Sequence, residues 1–277
     1  MSFRDITLGQ YAPRVSSIHG LDPRTKVLVF LNAMLCALAL RQSVFLCLFG
    51  FLGLGLYRVA RLQVRIALKN IRPFLWLFFL TFALHAFFTE GPIVCRVPVF
   101  NWAVTADGLA NGFYYTLRIV VLLIFANAMT LTTSPMELTD ALERFLRSFR
   151  RIGVPAHEIA LMVSLSIRFV PIFIEETDRI QKAQASRGCR ADGPFWVRIR
   201  GIFPVIVPLF LSSFRKAGDL AYAMDARCYR GGEGRTSLRE LRFHRSDGIA
   251  AAAAACAGFA FIWLDFRYHP ILLDMVR

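Results

Sequence analysis

The chain has 277 residues, with 33 Lys and Arg against 19 Asp and Glu, so it carries +14; yet 56% of it is hydrophobic. A soluble nucleic-acid binder can hold that charge but does not usually combine it with a mean hydropathy of +0.50, and so much apolar surface excludes a disordered chain. The six cysteines form no C-x-x-C pair, which points away from a disulfide framework or a zinc site.

Residues 1–24 hold no apolar core and read as a basic arm, not a signal peptide. Five apolar stretches follow in the chain, at 27–40, 44–57, 74–88, 113–131 and 248–264. A hydrocarbon core about 30 Å thick asks for about 20 helical residues. The fourth and fifth stretches come near that length, and the first three need their flanks to span. Only Arg41-Gln42-Ser43 separates the first two, so they could form one long helix or a hairpin of two. One helix would set a basic arm (Arg4, Arg14, Arg24, Lys26) and the basic segment 58–72 on opposite sides of the membrane. A hairpin puts both on the cytoplasmic side, as the positive-inside rule prefers. Two spans are therefore expected, with the N-terminus and 58–72 inside, the 89–112 loop outside, and 132–247 inside. The fold class expected is all-α, a polytopic membrane protein with about five transmembrane helices plus long cytoplasmic helices. Its parts are residues 1–131 (arm and first four spans), 132–247 (a cytoplasmic or interfacial helical insertion) and 248–277 (last span and tail).

The insertion carries a further +6 and is too long to be a plain connection. Ser134-Pro135-Met136-Glu137 reads as a capping box opening a helix to about residue 149. Gly153-Val154-Pro155 restarts the chain into a helix reaching about Arg187, kinked at Pro171. Asp192-Gly193-Pro194 turns it into another that runs through Pro204 and Pro208 to about Arg230. Each long helix is apolar first and charged last, and each ends in a related string: Ala185-Ser186-Arg187-Gly188 and Asp225-Ala226-Arg227-Cys228. Small residues before an arginine let a helix end approach a partner closely while the guanidinium reaches carboxylates or carbonyls. The same strings also suit solvated arginines at helix C-termini, where the dipole favours cations. These residues alone leave both readings open.

Catalytic signatures are missing. No G-x-x-x-x-G-K-[ST] loop and no G-x-S-x-G elbow occur, and His157-Glu158 begins an H-E-x-x-H that ends in Leu161. The histidines are scattered, so no metal or other cofactor is expected. His85 and Arg118 fall within spans, where ionisable groups are functional by default. Arg118 lies near a helix start and could snorkel outward, and Asp265 reads as interfacial.

Several strings resemble the transmembrane T component (EcfT, CbiQ-like) of energy-coupling factor importers, nearly end to end. They are Ile6-Thr7-Leu8-Gly9-Gln10-Tyr11, Ser17-Ile18-His19-Gly20-Leu21-Asp22-Pro23-Arg24-Thr25-Lys26, Thr130-Leu131-Thr132-Thr133-Ser134-Pro135, Arg168-Phe169-Val170-Pro171 and the two arginine strings. The family's signatures end in Ala-Arg-Gly; here Ser186 stands for the first alanine and Cys228 for the second glycine. The resemblance implies a non-catalytic scaffold in the bacterial cytoplasmic membrane. It would join two P-loop ATPases (an EcfA-type pair) to a substrate-binding S component for vitamin uptake, with Arg187 and Arg227 docked on the ATPases. Alternatives are a T component dedicated to cobalt or nickel, a membrane enzyme using Glu175, Glu176 and Asp178, or a lipid-recruiting anchor. Nucleic acid is not an expected partner.

Overall fold

The computed structural model describes residues 14, 16–97, 102–147, 153, 155–188, 195–231 and 243–276. The string at 6–11 and the turn at 192–194 lie outside the described residues. The chain forms two compact units: Gln10–Ser134 with Leu241–Arg277, and Met1–Gly9 with Pro135–Glu240.

The larger unit is a helical bundle. Helix α1 (Pro23–Ala39) starts where Asp22 accepts the Arg24 N–H at 3.0 Å with proline in the first turn, and it stops at an extended Leu40. Helix α2 (Ser43–Val59) follows, so the first two apolar stretches are separate helices. Helix α3 (Val64–Ile71), a 3-10 turn at Arg72–Phe74 and α4 (Leu75–Phe88) form one run of 25 residues, apolar and long enough to span. The third stretch thus gains its missing length from a segment that reads in sequence as a basic loop.

Strands β1 (Ile93–Val97) and β2 (Trp102–Thr105) pair antiparallel, Val97 opposite Trp102 and Cys95 opposite Val104. This hairpin was not expected of the 89–112 loop; β-branched and aromatic residues at Ile93, Val94, Val97, Trp102, Val104 and Thr105 favour it. Helix α5 (Ala106–Thr132) begins with Thr105 Oγ1 accepting the Gly108 N–H at 3.0 Å. Helix α9 (Arg245–Val276) closes the unit. Apart from the hairpin, the described chain is helical, as expected of a polytopic all-α membrane protein.

Phe30, Ala37, Leu40, Leu46, Phe49, Tyr57, Val121, Phe125 and Leu131 form the centre of the core. Phe49 sits between the rings of Phe125 (5.1 Å) and Phe261 (5.2 Å). Helices α4 and α5 approach so closely that a Cβ at Gly108 would lie 2.7 Å from the His85 carbonyl oxygen, which requires glycine there.

Two polar layers bound this core. In one, Lys26 Nζ donates to the carbonyls of His19 (2.9 Å) and Thr132 (3.3 Å), and Asp247 accepts the Asp22 and His244 N–H groups, both at 2.8 Å. In the other, Asp265 accepts the Arg41 N–H at 2.9 Å and the Gln42 N–H at 3.0 Å, while Tyr114 and Arg118 each donate to the Leu40 carbonyl at 2.7 Å. The layers are tied along three helices by the pairs Asp22 and Leu40, Tyr114 and Thr132, and Asp247 and Asp265. Each pair is 18 residues apart in sequence, which is about 27 Å of helix. That spacing matches a hydrocarbon core of about 30 Å.

The smaller unit holds α6 (Pro135–Arg147), α7 (Ala156–Ser186) and α8 (Phe195–Ala226). Ala141, Ala156 and Ala160 are buried. His157 faces Glu143 at 3.4 Å, tying α7 to α6. Helix α7 continues past Pro171 and α8 past Pro204 and Pro208. Its apolar first half makes α7 a helix that by length and composition could itself cross a membrane. Gln184 Nε2 donates to the Pro204 carbonyl at 3.2 Å, and Lys216 pairs with Glu176 at 3.3 Å. These two ties, with the order of residues reversed between the helices, make α7 and α8 antiparallel.

Candidate functional site

The two arginine strings end their helices by the same device. Arg187 and Arg227 stand one residue past the last residues of α7 and α8. After α7, the Gly188 N–H donates to the Ala185 carbonyl at 3.0 Å, and Gly188 takes φ +84°. After α8, the Cys228 N–H donates to the Asp225 carbonyl at 2.9 Å and the Tyr229 N–H to the Met224 carbonyl at 3.1 Å. This is a Schellman stop, which needs a left-handed residue directly after the cap.

Cys228 supplies that conformation itself, at φ 56°. The sequence leaves the stop to be made without glycine's freedom, with Gly231-Gly232 shortly after. The structure places it on the cysteine, because the two carbonyls of the last turn outweigh the cost of a left-handed side-chain residue. Ala185, Ser186, Arg187 and Gly188 are exposed, and so are Asp225, Ala226, Arg227 and Cys228. Ser186 spends its hydroxyl on the Lys182 carbonyl at 3.0 Å, so it adds no donor to the tip.

Antiparallel packing separates the tips. Arg187 lies beyond Glu176 on α7, and Arg227 beyond Lys216 on α8, each by about 16 Å of helix in opposite directions. Two arginine-bearing ends are thereby presented at opposite ends of one helix pair. Between them, Phe203, Val207, Phe210 and Phe214 leave an apolar stripe exposed along α8.

Residues singled out singly in the sequence have other duties. Arg118 does not snorkel: it binds the Leu40 carbonyl, contacts the Tyr114 hydroxyl and lies 4.6 Å from the Tyr114 ring. Asp265 is 4% exposed and caps α2. His85 bonds the Thr81 carbonyl and stacks 4.5 Å from Tyr115. Among the acids of α7, Glu176 is engaged by Lys216, and no group of three or more His, Cys, Asp or Glu converges among the described residues.

The family described as "Cobalt transport protein" (CbiQ) matches residues 14–238, which include both tips. The chain belongs to the CbiQ family. Among its CbiQ-family relatives, "Energy-coupling factor transporter transmembrane protein EcfT" of Acidaminococcus fermentans is 45% identical over 250 residues, covering 88% of this chain and 91% of that one. The protein of the same name from Thermanaerovibrio acidaminovorans is 43% identical over 260 residues, with 93% and 96% covered. That of Bacillus subtilis is 41% identical over 237 residues, with 84% and 88% covered. Membership in this family and the apolar helices make the chain a multi-pass membrane transport protein of the energy-coupling factor type.

Proposed function

We propose that the chain is the non-catalytic transmembrane scaffold of an energy-coupling factor importer. In this reading two cytoplasmic P-loop ATPases seat on the tips, Ala185–Ser186–Arg187–Gly188 taking one and Asp225–Ala226–Arg227–Cys228 the other. A substrate-binding S component rests on the apolar faces of α7 and α8. The observation that carries it is the matched pair of exposed helix stops, each ending in an arginine and pointing opposite ways. A solvated helix end needs no such repetition.

The mechanism follows from stiffness. Each guanidinium sits at the C-terminal end of a helix of more than 30 residues, where the dipole favours a cation. It offers paired N–H donors to carboxylates or carbonyls in an ATPase groove. Closure of the ATPases on ATP would drive the tips together or apart, and the antiparallel helices would convert that into a tilt of the apolar platform. The chain supplies no nucleotide site; hydrolysis belongs to the partner chains. The N-terminus, 58–72 and 132–247 lie on the cytoplasmic side in this reading, which assigns the +5 of 58–72 and the +6 of the insertion to one face.

Co-expression with an ATPase pair and an S component tests it. Arg187→Glu with Arg227→Glu is expected to release the ATPases on purification and abolish vitamin uptake, with the chain still inserted in the membrane. Normal uptake by that double variant would sink the coupling role. A second reading, a scaffold dedicated to cobalt or nickel, is favoured by the description of the matched family. Uptake of radiolabelled cobalt, with none of any vitamin, would select it.

A further inference from the structure

The corner between α2 and α3 concentrates positive charge in a way that membrane topology alone does not require. Arg58, Arg61, Arg65, Lys69 and Arg72 fall within 15 residues, and no Asp or Glu occurs from residue 23 to residue 89. Among the described residues none of the five takes part in an ion pair. All five are exposed. We propose that this corner binds the headgroups of anionic phospholipids, with their phosphates on the arginine and lysine side chains and their acyl chains on the apolar residues between them.

The corner is built, not loose. The Leu62 N–H closes onto the Tyr57 carbonyl at 2.8 Å and the Arg61 N–H onto the Arg58 carbonyl at 3.0 Å, with Arg61 left-handed at φ 55°. Arg14 adds a further cation by donating to the Arg61 carbonyl at 2.9 Å. Helix α3 is pinned to α5 by Asn70 on Asn127 at 3.1 Å, and Ala67 is fully buried. Its remaining surface is therefore fixed outward.

Lipid is favoured over a soluble acidic partner by what lies among the cations. Leu68 is 62% exposed on the turn between Arg65 and Arg72, and Trp76 is 70% exposed one turn beyond. Such side chains cost free energy against water and gain it in the acyl boundary. Arginine and lysine stems beside them can lift their charged ends to the phosphate level. Arg58 and Arg61 precede the run Val64–Phe88, which is long and apolar enough to span, and Arg65, Lys69 and Arg72 occupy its first turns, so the cations gather at one end of that run, where a membrane surface would lie. This inference rests on the chain's membrane insertion and not on the coupling role of the tips.

The test uses the detergent-solubilised full chain, incubated with equimolar phosphatidylglycerol and phosphatidylcholine and read by native mass spectrometry. Bound phosphatidylglycerol should exceed phosphatidylcholine. The variant Arg65→Gln/Lys69→Gln/Arg72→Gln should lower that excess by about tenfold or more, and Arg65→Lys/Arg72→Lys should keep it. Equal binding of the two lipids by the unmodified chain, or an unchanged preference in the triple variant, would overturn the proposal. Glycerol 3-phosphate added at the lipid concentration should not displace phosphatidylglycerol. Displacement would assign the corner to soluble anions instead.

Discussion

The two units spend their apolar residues differently. In the larger one, Phe30, Phe49, Tyr57 and Phe125 close on one another, and the buried charges Asp247 and Asp265 each find two backbone N–H groups. In the smaller one the buried apolar residues among those described are three alanines, while Phe203, Phe210, Phe214 and Tyr222 stay exposed on α8. Polar groups that satisfy each other at a fixed spacing make a bundle stable in a membrane without help. A helix pair that leaves its large side chains uncovered gains little by itself and has most to gain from other molecules. The first unit reads as anchor and the second as working surface.

That contrast can be broken by mutation. Asp265→Ala strips both N–H groups at the start of α2 of their acceptor, and it is expected to cost about 3 kcal/mol in thermal unfolding in detergent. Gly108→Ala pushes a methyl against the α4 backbone and should cost about 2 kcal/mol in the same measurement. On the other unit, Phe210→Ala with Phe214→Ala should change unfolding of the isolated chain by less than about 1 kcal/mol, while lowering recovery of the S component in a pull-down. A large loss of stability there would mean that the exposed stripe is part of a self-contained core.

Smaller effects sharpen the comparison between the tips. Cys228→Gly removes the cost of a left-handed side chain and should stabilise the end of α8 by about 1 kcal/mol. Gly188→Ala should destabilise the end of α7 by about the same amount. Hydrogen exchange at the Tyr229 amide and over the last turn of α7 would report the two changes separately. If neither moves, the stops are not held by the left-handed residues.

Much of this was legible in the sequence, for local reasons. Three residues, Arg41-Gln42-Ser43, and the charges on either side were enough to split the first two helices. The end of α7 falls one residue before the expected Arg187, whereas α8 stops at Ala226, inside its arginine string and four residues before the expected Arg230. What was missed is non-local. Asp265 serves an N–H that lies 224 residues away in the chain, and no periodicity announces such a pair. Arg118 reads as a cation near a helix start until the Leu40 carbonyl is seen beside it. Helix α3 was hidden because its eight residues, with Arg65 and Lys69 among them, sit inside a basic run that was read for its charge and not for its apolar positions Val64, Ile66, Leu68 and Ile71. Cys228 stands where the family signature has glycine, and its left-handed turn could not be read from the residue's own preference, because the two bonds that override that preference are seen only in the fold.

The coupling role of the tips is most directly tested with the chain's own thiol. Cys228 is exposed beside Arg227, so its alkylation by a water-soluble maleimide can be followed, peptide by peptide, in the scaffold alone and in the assembled complex. Strong protection of Cys228 on assembly with the ATPase pair, lost again in Arg227→Glu, is the expected result. Equal labelling in the free and assembled scaffold would contradict ATPase docking at this tip.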